Sequence, residues 1–294
     1  MSGGPSTTVS PLTLILSVIA GLYVIWNYRA PTWSAVLREP PLNLTSSVSS
    51  TVETEDTLEE CSRRALIGPS GEADGPRGKK VYIDLGANDG SSLKYFFTEF
   101  APDKLGERQV NLSEWEAYLF DLNPLWKDDL RARCASFIDL ARCEVILAGA
   151  WNNTKTIGYF HDLTVHDRAD RKDAEARKDR SVGTSLYDRQ SMERKQGEWK
   201  TDGCVVDFIG WVRRVVLNDH RQQVFLKVDI EGAEYTVVRE LLDSGVLKGR
   251  VKWVAIEWHG KIVRKIKGFD HKARQEAIIN DLQAQGVEYI QWGF

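Results

Sequence analysis

Residues 81–90 read VYIDLGANDG, an apolar run that ends in a turn carrying two glycines. Val81, Tyr82, Ile83 and Leu85 have the pattern of a short buried strand interrupted only by Asp84. Gly86 and Gly90 supply positive φ angles and close backbone approach where the strand gives way to a helix starting near Ser91. Strand, glycine turn and helix make the first unit of a doubly wound sheet, in which ligands sit at the carboxyl ends of the strands.

The same rhythm continues along the chain. Residues 116–122 (EAYLFDL), 143–150 (CEVILAGA), 224–230 (VFLKVDI) and 252–258 (KWVAIEW) each read as a short buried strand. Helical patterns at 235–242 and 272–285 follow the last two. Alternation of this kind predicts an α/β fold with a doubly wound, mostly parallel, Rossmann-like sheet covered on both faces. Residues 156–160 and 204–208 read as extra strands flanking a charged stretch at 162–180, itself a solvated insertion or a lid.

Length and composition bound the function. The chain has 294 residues, 42% of them hydrophobic, and a net charge of −3, which predicts one domain with appendages. No sustained basic stripe is present, so nucleic acid is excluded as an expected partner, and a small-molecule or glycan acceptor is the default. The four cysteines, Cys61, Cys134, Cys143 and Cys204, form no C-x-x-C pair and have no nearby histidine at zinc-site spacing. After a tail at 1–10, residues 11–28 carry no charged side chain and end in Trp26 and Tyr28, the pattern of a short uncleaved membrane anchor. A short span suits the endoplasmic reticulum or Golgi. Arg29 and Arg38 after the span favour a cytosolic domain, whereas sequons at Asn43, Asn111 and Asn152 favour a lumenal one. The Asn152 sequon falls beside the expected cofactor pocket and reads as accidental. Residues 29–78 read as a flexible stalk with one short helix around 58–66, and 79–294 as the folded domain.

The turn is neither G-x-G-x-x-G nor a P-loop, since no lysine occupies the phosphate position. Its acidic residue followed by Gly86, Asn88 and Gly90 resembles motif I of S-adenosylmethionine (SAM)-dependent methyltransferases, with Asp84, Gly86, Asn88 and Gly90 as expected cofactor contacts. Asp121 closes the next strand, where a carboxylate accepts hydrogen bonds from ribose hydroxyls. Ala150 and Trp151 are expected as a small-then-flat surface beside the adenine. In LKVDIEGAEY (226–235), strand alternation puts Lys227, Asp229 and Glu231 on one side. Three charges cannot be buried on a central strand without partners, so this segment reads as functional. Glu234, in the first turn of the following helix, reads as structural.

DLGANDG (84–90), LFDLNP (119–124), GAW (149–151), GTSL (183–186), LKVDIEGAEY (226–235) and EWH (257–259) resemble, in order, the motifs of the FkbM-type SAM-dependent methyltransferases. The resemblance implies a class I methyltransferase fold and O-methylation of a hydroxyl on a sugar, a glycan or a small natural product. Three departures stand out. Asp121 occupies a position where the family often has Glu, the insertion at 162–180 is this chain's own, and a single strand after helix 272–285 leaves the usual closing antiparallel hairpin incomplete. The expected general base is His259, with Asp229 and Glu231 as alternatives; Asp229, Glu231 and Glu257 could instead hold a divalent cation. The rival readings are an NAD- or nucleotide-sugar-binding Rossmann enzyme and a membrane-tethered binding protein without turnover.

Overall fold

Among the described residues, ten strands account for the apolar runs: β1 (Lys80–Leu85), β2 (Trp115–Phe120), β3 (Arg142–Ile146), β4 (Gly149–Trp151), β5 (Lys155–Asp162), β6 (Thr184–Ser185), β7 (Glu198–Asp207), β8 (Gln223–Val228), β9 (Val251–Ile256) and β10 (Glu288–Gln291). The computed structural model describes residues 55–66, 80–162, 184–186, 198–216, 223–264 and 266–293. The apolar stretch at 11–28 and all but the first residue of the charged insertion lie outside them. Among the described residues no helix is long and apolar enough to cross a membrane.

Six strands form an all-parallel central sheet in the order β10-β9-β8-β1-β2-β3. This is the Rossmann-like arrangement expected from the sequence. The closing strand β10 runs parallel to β9, with Glu288 opposite Trp253 and Gln291 opposite Ile256.

Side-chain alternation builds a core on each face. Val81, Ile83 and Leu85 join Leu226, Val228, Val254 and Ile256 in one cluster. Tyr82 faces the other way, with its ring 4.4 Å from that of Phe96 and 5.9 Å from that of Phe225, in a cluster that includes Phe100 and Trp115. Each such fully buried side chain contributes roughly 1.5–3 kcal/mol. The flanking helices are α1 (Glu55–Ala65), α2 (Ser91–Tyr95), α3 (Lys127–Ser136), α4 (Phe208–Val215), α5 (Glu234–Ser244) and α6 (His271–Ala284).

Two departures from the expected layout bear on the site. The run 143–150 is not one strand: Ala148 N–H bonds the carbonyl of Ile146 at 2.8 Å, a tight turn that leaves β3 in the central sheet and sends β4 into a second sheet ordered β4-β7-β5-β6. The helix expected within the stalk forms, and it docks on the folded domain. Cys61 of α1 is disulfide-bonded to Cys204 of β7, and Arg64 Nη1 donates to the carbonyl of Leu147 at 2.7 Å. Cys134 at the end of α3 pairs with Cys143 on β3, so all four cysteines are disulfide-bonded.

The central strands are joined by a buried ion pair. Lys227 on β8 (2% exposed) lies 2.8 Å from Asp84 on β1 (0% exposed). Breaking such a pair strands a charge in the core and costs about 3–5 kcal/mol. Lys227→Ala is therefore expected to lower the unfolding free energy by that order in urea titration; a loss under about 1 kcal/mol, the size of a surface pair, would contradict this role.

Candidate functional site

The two directions of chain travel part between β1 and β8. From β1 the chain builds outward through β2 and β3, and from β8 it builds the other way through β9 and β10. A crevice at the carboxyl ends of the strands is the geometric consequence. The cavity there is lined by Leu85 at the end of β1, by Gly86 and Asn88 after it, by Asp121 and Leu122 after β2, by Gly149 and Ala150 of β4, and by Asp229, Ile230 and Glu231 after β8. Thr184, Leu186 and Trp126 add to its wall. Among these described residues it has three carboxylates and no lysine or arginine.

The glycine turn is what lets β1 and β8 meet at this point. Gly86 has φ 80°, and a Cβ built on it would lie 1.8 Å from the carbonyl oxygen of Asp229, which no side chain can tolerate. Gly90, at φ 75°, leads into α2, and its Cβ would meet Arg133 Cγ of α3 at 2.7 Å. Gly86 therefore shapes the cavity, whereas Gly90 lets two helices approach. Asn88 takes a left-handed φ of 49°, and its backbone N–H donates to Asp121 Oδ2 at 2.7 Å.

Asp121 also accepts from the Asn123 N–H through Oδ1 at 2.8 Å. Each carboxylate oxygen keeps a second acceptor position. Burial outweighs these two backbone hydrogen bonds and pushes the Asp121 carboxyl up to about 6.

Asp84 is placed away from the cavity. Its oxygens accept from Tyr82 Oη at 2.9 Å, Ser92 Oγ at 2.7 Å and Lys227 Nζ at 2.8 Å, beneath the turn. Lys227 also donates to the Gly86 carbonyl at 3.0 Å and lies 3.3 Å from Asp229 Oδ2. Burial works against the charge on Lys227, but Asp84 and Asp229 outweigh it and hold the ammonium protonated. Because β8 ends at Val228, Asp229 and Glu231 belong to the following turn. The strand alternation expected for Lys227, Asp229 and Glu231 therefore does not carry through to them.

Beyond Asp229 the charges gather on His259. Fully buried Glu234 holds the imidazole, with Oε1 2.8 Å from Nδ1, while the same carboxylate accepts from the Ile230 and Gly232 N–H groups. Glu234 thus closes the turn after β8 and orients a histidine at the end of β9, a role the sequence did not reveal. The other ring nitrogen, Nε2, faces Glu231 at 3.4 Å and Asp229 and Glu257 at 3.8 Å each. Burial alone would lower the His259 pKa; the hydrogen bond and charge of Glu234, with Glu231 and Asp229, raise it to about 9. Asp229, Glu257 and His259 present ligand atoms within 4.8 Å of one another, so the possible cation set gains His259 in place of Glu231. Glu231 is held at φ 53°, and Ser185 Oγ donates to its carbonyl at 2.7 Å.

Ala150 lines the cavity. Trp151 points elsewhere: it borders a separate, small cavity with Asn152, Phe208 and Thr236, and Lys155 Nζ lies 5.9 Å from its ring centroid. Side-chain alternation along β4 is responsible: Ala150 faces the cavity, so Trp151, the next residue of the same strand, faces the other way. Asn152 is exposed and likewise lies outside the main cavity's wall. Thr184 and Leu186 belong to the GTSL segment at 183–186, a motif whose individual residues carried no expected role. Comparison of the chain with protein-family models, curated proteins and solved structures yields no match. The likeness to FkbM-type methyltransferases thus rests on the quoted motifs alone.

The histidine cluster has a measurable signature. His259 is expected to titrate near 9 by NMR, and Glu234→Gln should move it down toward the ordinary 6.5. Since the folded pKa lies above the unfolded one, the stability from protonated His259 is complete below about 6.5 and is lost as pH rises through about 9. Denaturant titrations of wild type and Glu234→Gln across that window check the sign. An unshifted His259 in wild type would contradict the cluster.

Proposed function

We propose that this chain is a SAM-dependent O-methyltransferase that acts on a hydroxyl of a sugar, a glycan or a small natural product. The observation that carries the reading is the charge of the crevice: Asp121, Asp229 and Glu231 line it, and among the described residues no lysine or arginine does. SAM brings a sulfonium and an ammonium, which such walls attract. NAD and nucleotide sugars bring a diphosphate, which needs a glycine-loop anion site or basic side chains. The motif resemblance supports the same choice.

On this reading the ribose hydroxyls donate to Asp121, and Asn88 and Gly86 shape the floor beneath the nucleoside. Ala150 leaves room beside the adenine. Methyl transfer to oxygen is an in-line displacement in which the acceptor hydroxyl must be aligned with the sulfonium and lose its proton. His259 is the base: Glu234 fixes its Nδ1, and Nε2 opens toward Asp229 and Glu231 at the mouth of the crevice. Those carboxylates also suit acceptor hydroxyls as hydrogen-bond partners. A base raised to about 9 is mostly protonated at neutral pH, so the rate rises as pH climbs toward that value.

The convergence of Asp229, Glu257 and His259 within 4.8 Å favours a second reading of the same cluster, in which a divalent cation polarises the acceptor hydroxyl. Turnover that survives EDTA supports the histidine base, and turnover that EDTA abolishes supports the cation.

Two measurements test the proposal. Calorimetry should show SAM binding that weakens about 10- to 100-fold in Asp121→Ala, the scale of one or two charged hydrogen bonds. In wild type, binding should weaken as pH falls below about 6, where Asp121 takes up a proton. Binding of NAD or a UDP-sugar in place of SAM, or SAM binding indifferent to Asp121, would overturn the cofactor. With labelled SAM and a cell extract as the source of acceptor, His259→Ala should lose about 10²–10⁴ of the transfer rate while still binding SAM; an unchanged rate removes His259 as the base.

A further inference from the structure

We infer that the folded domain is an N-glycosylated protein of an oxidising compartment, with the glycan carried by Asn111. The first observation is the state of the sulfur. All four cysteines are consumed in two disulfides, and one of them, Cys61–Cys204, joins residues 143 apart and fastens α1 to the second sheet. Cys61 is 0% and Cys204 6% exposed, so the link lies inside the fold. Disulfides of this structural kind form and persist in the secretory pathway and outside the cell, whereas cytosolic thiols are kept reduced. Arg29 and Arg38 favour the opposite orientation, but flanking charge biases only the insertion of a span, whereas the disulfides fix the environment in which the domain folds.

The second observation is independent of the first. Asn111-Leu112-Ser113 is an acceptor sequence for N-glycosylation, and it occupies a one-turn 3₁₀ segment just before β2, with Asn111 and Ser113 both exposed. Ser113 Oγ donates to Asn111 Oδ1 at 2.8 Å, so hydroxyl and amide are already side by side on an exposed surface. Any glycan added during synthesis must be accommodated by the folded state. Asn111 meets that demand, because it lies at the amino end of β2 while the crevice lies at the carboxyl ends of the strands. Asn152 is also exposed, but the hydroxyl of its partner Thr154 accepts the Asp207 N–H inside the second sheet. The sequon at Asn43 lies outside the described residues.

The chemistry balances with the co-substrates of that compartment. Asn111 Nδ2 loses a proton and bonds the anomeric carbon of an oligosaccharide as its lipid diphosphate leaves. Each cysteine pair gives up two protons and two electrons to an oxidised dithiol of the folding machinery. The inference does not depend on the proposed methyl transfer.

The test uses the full chain made in secretory-competent eukaryotic cells. Peptide N-glycosidase should increase the mobility of the wild-type protein by a step that Asn111→Gln and Ser113→Ala each shorten by one glycan increment, while Asn152→Gln leaves the increment at 111 in place. Peptide mass spectrometry of the wild-type protein should find Asp at 111 after enzymatic release, a readout that holds even if a variant misfolds. Maleimide should label no cysteine before reduction. Unmodified Asn111 in the wild-type peptide overturns the glycan assignment, and thiols that react before reduction overturn the assignment of the compartment.

Discussion

The buried pair of Lys227 and Asp84 is the interaction on which the rest of the site depends. It joins β8 to β1 where the topology reverses, and Lys227 reaches on to the Gly86 carbonyl and to Asp229. A single ammonium thereby fixes both turns that border the crevice. The arrangement works only because position 86 has no side chain, since the Asp229 carbonyl occupies the place a Cβ would take. Charge and backbone geometry are thus linked: the ion pair draws the two strand ends together, and glycine permits the approach.

Outward from this junction, negative charge increases. The carboxylate of Asp229 is partly neutralised by Lys227, while Glu231 and Glu257 share the imidazole of His259, itself held by Glu234. Asp121 sits apart on the β2 side, buried and raised to about 6. Two acidic environments therefore flank one cavity, Asp121 on the β2 side and the carboxylates gathered about His259 on the other. Under the proposed function the first serves the nucleoside and the second serves the acceptor and its proton.

Much of the sheet was legible in the sequence, because burial on both faces imposes apolar runs that local pattern reports. Strands β1, β2, β8 and β9 lie within two residues of their expected ends, and the Gly86 turn was readable from glycine chemistry alone. What failed to show was whatever depends on a distant partner. Asp84 reads the same whether it faces a ligand or a lysine far along the chain. Trp151 departs for a local reason: it follows Ala150 within β4, so strand alternation turns its indole away from the cavity that Ala150 lines. The pairing of Cys61 with Cys204, and the reach of Glu234 to His259, are tertiary facts that no spacing reports. The likeness to one enzyme family singled out 226–235, and within it the structure separates Lys227, which holds the sheet, from Asp229 and Glu231, which border the cavity.

Under the proposed function, SAM occupies the crevice between the ends of β1, β2, β4 and β8. Amide hydrogen exchange with and without SAM checks this placement residue by residue. The turns at 86–90, 121–123, 148–150 and 229–233 should gain protection together, while the amino ends of the same strands stay unchanged. Protection confined to other parts of the chain, or no protection at saturating SAM, would contradict it.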